Sequence, residues 1–154
     1  MVKPVMEQCC CCCGDLRKGS IYIMILRIEL SVVSIIYGII VLCNKNFENG
    51  FFSEMKIPLI IGLTLGLVGI PFHAVGLYGC CKKNYNYILP WVVFTGFHAF
   101  MYVVIMLYVT ISTGIKFGAG SAFALLFASG IITGILIWWW CVGYSYYAVL
   151  KEGN

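Results

Sequence analysis

Charge is what this sequence has least of. Only 10% of its 154 residues are Asp, Glu, Lys or Arg, and 62% are hydrophobic; soluble globular chains carry about a quarter charged residues. With a mean hydropathy of +0.96, that scarcity excludes a water-soluble domain as the body of the protein. Enzyme signatures are missing too: there is no Gly-rich nucleotide loop, no zinc-protease motif and no nucleophile elbow. No Asn-x-Ser/Thr sequon occurs, so N-glycosylation is not expected. The net charge of +4 is small and sits at topology-setting positions, so it gives no reason to expect a nucleic acid partner.

What the chain has instead is four long apolar runs: Ser20–Cys43, Ile57–Cys80, Tyr87–Ser112 and Phe123–Ala148. As helices rising ~1.5 Å per residue, each reaches about 36 Å or more, beyond the ~30 Å of bilayer hydrocarbon and with room for tilt. The first run is too long for a signal-peptide core, and no small-residue cleavage site follows it, which makes it an uncleaved span. The expected fold is therefore an all-α integral membrane four-helix bundle. Residues 1–19, 44–56, 81–86, 113–122 and 149–154 are left as connections and ends. None of these is large enough for a soluble domain. Loop 113–122, rich in Gly and Ser, reads as flexible.

With the N-terminus inside, Lys3, Arg17, Lys18, Lys82, Lys83 and Lys151 fall on the cytosolic side, and Lys45, Lys56 and Lys116 outside. The positive-inside rule then predicts N-in and C-in. Cys9, Cys10, Cys11, Cys12, Cys13, Cys80, Cys81 and Cys141 all lie toward that side, where thiols stay reduced. Only Cys43 is at the outer boundary, so no disulfide is expected in the outer loops. Five adjacent cysteines cannot converge on one tetrahedral metal, and no metal or other cofactor is expected. Cysteines flanked by basic residues at a membrane surface suit S-palmitoylation, which makes Cys9–Cys13, Cys80 and Cys81 the candidate lipidation sites. Simple packing accounts for Cys141.

Four ionisable groups fall inside the spans: Arg27, Glu29, His73 and His98. Helical rise puts all of them about 10–16 Å from the cytosolic end. Such groups are costly in hydrocarbon unless they face the bundle and are paired. Arg27 and Glu29, two positions apart, point to different sides of their helix and do not pair strongly with each other. Three roles are open: a polar clamp fixing helix register, an interface with another membrane protein, or a proton or ion relay.

Gly62, Gly69 and Gly76 recur every seven residues, and Gly62-xxx-Gly66 and Gly130-xxx-Gly134 are small-xxx-small pairs. These positions let helix backbones approach closely, within the chain or at an interface with another one. Trp138-Trp139-Trp140 reads as part of an interfacial aromatic belt. Tyr147-Ala148-Val149-Leu150 has the form of an endocytic signal, but lies too near the bilayer for an adaptor to reach.

Two segments carry a family resemblance. Cys12-Cys13-Gly14-Asp15-Leu16-Arg17-Lys18-Gly19-Ser20 resembles the Cys-rich lead-in to span one of lysosome-associated (LAPTM-type) four-span proteins, and more closely that of a related family of small arthropod four-span proteins. Trp140-Cys141-Val142-Gly143-Tyr144-Ser145-Tyr146-Tyr147 is similar to the arthropod family's final-span signature. The resemblance implies a role at septate junctions and epithelial barriers, or in endolysosomal trafficking and transporter partnership. Residues 149–154 hold no Pro-Pro-x-Tyr motif, which departs from the LAPTM pattern. Residues 44–56 hold no cysteine pair and are too short for a claudin-type extracellular sheet. The expectation is a non-enzymatic accessory or scaffold subunit that meets another integral membrane protein, or its own copies, within the bilayer. It would reside in the plasma membrane, with the endolysosomal membrane as the alternative. The competing expectation is a small proton- or ion-coupled transporter using Glu29, His73 and His98.

Overall fold

The computed structural model describes residues 15–43 and 52–153, the side chains of 52–55 excepted; Cys9–Cys13 lie outside the described residues. Four helices follow in order: α1 (Leu16–Cys43), α2 (Phe52–Lys82), α3 (Tyr85–Phe117) and α4 (Ala119–Glu152). No strand occurs among the described residues. All four are long and apolar enough to cross a membrane, and the protein is a multi-pass membrane protein. The Val32-Val33 and Ile35-Ile36 pairs of α1 favour strands in water. In hydrocarbon a helix satisfies every backbone N–H and C=O within its own segment, and that demand overrides propensity.

The helices run up and down, each packed on its neighbour in sequence, and α1 against α4 closes the ring. One end of the bundle carries the start of α1, the α2–α3 turn and the end of α4; this is the terminal end. The α2–α3 turn is only Lys83-Asn84. Lys83 takes a left-handed φ of 55°, and the Asn84 N–H donates to the Gly79 carbonyl at 3.0 Å, the six-to-one bond that closes a Schellman cap. The Asn84 side chain then caps α3 by accepting from the Asn86 N–H at 3.0 Å. Arg17 ties α1 to the same corner: its Nε and Nη2 donate to the carbonyls of Cys80 at 3.1 Å and Cys81 at 3.2 Å. A cation on the last carbonyls of α2 also complements the helix dipole.

At the opposite end α3 and α4 are joined by Gly118 alone, at φ 89°. The expected loop at 113–122 is therefore almost entirely helix. Thr113 is buried, and Gly114 stands opposite Ala122, so small residues there serve close helix contact.

The core lies in the terminal half, around Met24, Cys80, Ile88, Trp91, Val142 and Tyr146. Trp91 of α3 is its centre, fully buried. A Cβ on Gly76 of α2 would stand 2.8 Å from Trp91 Cβ, and one on Gly143 of α4 would collide with the far edge of the indole ring. The ring fills the space two glycines leave on either side of it.

Candidate functional site

Arg27 projects from the middle of α1, about 16 Å from the helix start, and is only 5% exposed. Arginine has donors and no acceptor, so its Nη1 donates to His98 Nδ1 across the bundle at 3.4 Å. His98 therefore carries any single proton on Nε2. The guanidinium also lies over the Trp139 ring, 5.1 Å from the centroid, a cation–π contact. Its Nε and Nη2 have no hydrogen-bond partner, and no carboxylate reaches it among the described residues. A buried arginine without a counter-ion is rare in membrane interiors, where such groups are usually paired.

Above Arg27, toward the opposite end, a cavity of about 820 Å³ opens between the four helices. Arg27, His98 and Trp139 line one end of it, with Ser31, Ser34 and Tyr37 following along α1; its walls are otherwise mainly apolar, including Leu63, Met106 and Leu136. Gly62 lines it too, with nothing within 4 Å of where a Cβ would stand.

His73 is 1% exposed and accepts the Trp91 indole N–H on Nδ1 at 2.9 Å. Trp is a donor only, so His73 is held with Nδ1 free of a proton. It sits within the packed half, against Phe94. Glu29 is exposed on the outside of α1, and its carboxylate has no partner among the described residues. The structure thus joins Arg27 to His98 and His73 to Trp91, and leaves Glu29 apart from both. The two-residue spacing of Arg27 and Glu29 already pointed to different sides of α1.

Other candidate positions divide as sharply. A Cβ on Gly66 would stand 3.5 Å from Ile35 of α1, and one on Gly69 would stand 3.1 Å from Phe94 of α3. A Cβ on Gly62, Gly130 or Gly134 would have nothing within 4 Å, so of the two uses open to these positions only an interface outside the chain fits. Gly143 and Trp91, the tightest pair, carry no small-xxx-small or charge signal in the sequence. Of the lipidation candidates, Cys80 is fully buried in the core against Met24, its thiol 3.9 Å from the thioether sulfur. Cys81 is exposed. The tryptophan run is no simple interfacial belt: Trp139 covers Arg27, and Trp140 donates its indole N–H to the Val92 carbonyl of α3 at 3.1 Å.

No family model, curated protein or solved structure matches this chain.

Proposed function

We propose that the protein is a non-enzymatic accessory or scaffold subunit that binds another integral membrane protein laterally, within the bilayer. The observation that carries this reading is Glu29, an exposed carboxylate on α1 without a partner among the described residues. A carboxylate near the centre of a spanning helix costs about 3 kcal/mol, and a donor on a neighbouring protein removes that cost. The open small-residue face of Gly130 and Gly134 on α4 supports a second close approach from outside. The N-in, C-in orientation belongs to the same reading: Arg17, Lys18, Lys82, Lys83 and Lys151 cluster at the terminal end, against Lys56 and Lys116 at the other. Acylation of Cys9–Cys13 and Cys81 would fix its lateral location in the plasma membrane.

Purification from native membrane in mild detergent tests the proposal. One membrane protein at stoichiometric yield, lost with Glu29→Gln while the bundle still elutes as a folded species, is the expected result. Undiminished recovery with Glu29→Gln, or no partner at all, removes the reading. The cavity favours a second one, a small ion- or proton-coupled transporter. Its requirement that Glu29 act with His73 and His98 finds no support in their separation, and it would be judged by flux in vesicles carrying Glu29→Gln.

A further inference from the structure

We propose that the cavity above Arg27 is a binding site for a long-chain carboxylate, with the acid head on the guanidinium and the tail along the cavity. This inference is independent of the lateral-partner reading, which rests on the outer face of α1.

Three features converge on it. The first is the unsatisfied cation. Arg27 is more than nine-tenths buried, borders the cavity, and has no carboxylate partner among the described residues. Its Nη1 is engaged by His98, leaving Nε and Nη2 unpartnered. Those two nitrogens form one edge of the guanidinium, the fork that matches the two oxygens of a carboxylate with two parallel charge-assisted bonds. Both atoms are themselves shielded from solvent, so the bound head is met by a swivel of the guanidinium off its present seat. Trp139 remains as the face against which it can turn.

The second feature is shape and chemistry along the cavity. It extends from Arg27 to Val41 on α1, fourteen residues, or about 21 Å of helix. Its only charged group, Arg27, stands at the inner end with His98 and Ser31; Ser34 and Tyr37 follow along α1, and the other lining side chains are mainly apolar. One cationic end and a long apolar bore describe an amphiphile with a single small anionic head. A volume of about 820 Å³ is within the ~300–1,000 Å³ range of small-molecule sites.

The third feature is what closes the other side. Below Arg27 the bundle is packed solid around Met24, Trp91 and Val142, so the cavity ends at the charge and does not continue as a passage. A ligand entering from the open half is stopped where its head can be neutralised.

The test uses the full chain in phosphatidylcholine nanodiscs and a diazirine-bearing palmitic acid as photoprobe. Labelling should map to peptides of α2 and α3 that face the cavity and should be displaced by palmitate. Methyl palmitate, which keeps the tail and loses the charge, should compete at least about tenfold less well, the scale of a lost charge-assisted pair. Arg27→Gln should reduce labelling by a similar factor. Because Arg27→Gln also removes a buried contact of the fold, Gly62→Phe provides a second arm: it fills open space in the bore, leaves Arg27 in place and should block the tail. Equal competition by the methyl ester, or undiminished labelling of Gly62→Phe, overturns the proposal. Stronger displacement by palmitoyl lysophosphatidate than by palmitate overturns the carboxylate assignment in favour of a phosphate head.

Discussion

Trp91 shows how a single side chain organises the packed half of this bundle. Its indole N–H is satisfied by His73, and its ring lies between Gly76 and Gly143, which come from different helices. Hydrophobicity gives helices in lipid no reason to prefer one another over acyl chains, so close steric fit has to hold them together. Adding a methyl at Gly143 forces the ring off its seat, and overpacking of this kind costs about 1–3 kcal/mol. Gly143→Ala and Gly76→Ala should therefore lower the thermal midpoint in detergent, measured by size-exclusion fluorescence after heating. Gly130→Ala and Gly134→Ala meet open space inside a helix and should hold it or raise it slightly. Equal loss at all four positions would mean that Trp91 is not the wedge.

At the scale of elements, two short turns decide how the helices are paired. Lys83 adopts a left-handed backbone, which costs an L-residue about 1–2 kcal/mol, while the cap it completes satisfies the Gly79 carbonyl. Glycine escapes that strain but loses about 0.5–1 kcal/mol to chain entropy. Lys83→Gly should thus raise stability by about 0.5 kcal/mol, and the β-branched Lys83→Val should lower it. Unfolding titrations in mixed micelles would check both; a loss with Lys83→Gly would remove the strain argument. The sequence disclosed the four helices because an apolar run longer than the hydrocarbon is thick has few other folds open to it. Their ends were harder to read: Gly118 and its neighbours carry loop-type residues, yet small residues also permit close helix contact, and composition does not separate the two uses. Arg27 was legible as a buried charge and Glu29 as pointing elsewhere. The cavity was not, because it depends on which side chains fail to meet, and that has no local signature.

The whole molecule is asymmetric along its axis. Its terminal half is closed by Trp91, Tyr146 and the Arg17 bonds to α2, while its other half surrounds a cavity and leaves much of α4 exposed. Arg27 marks the boundary. This arrangement suits a protein whose rigid end fixes the helix register and whose open end can admit an apolar tail. Reactivity of introduced thiols should follow the same division. Met106 lines the cavity and Val142 is fully buried in the packed half. In the folded protein, Met106→Cys should react with N-ethylmaleimide, more slowly than the exposed Cys43 because apolar walls disfavour the thiolate, read peptide by peptide by mass spectrometry. Val142→Cys should react only after unfolding, since a thiol packed at interior density has no path for the reagent. Excess palmitate should slow the Met106→Cys reaction and leave the exposed Cys43 unaffected, linking the open half to its proposed occupant. If Val142→Cys reacted as quickly as Met106→Cys, the boundary at Arg27 would not exist, and the cavity would have to be reconsidered as a passage through the bundle.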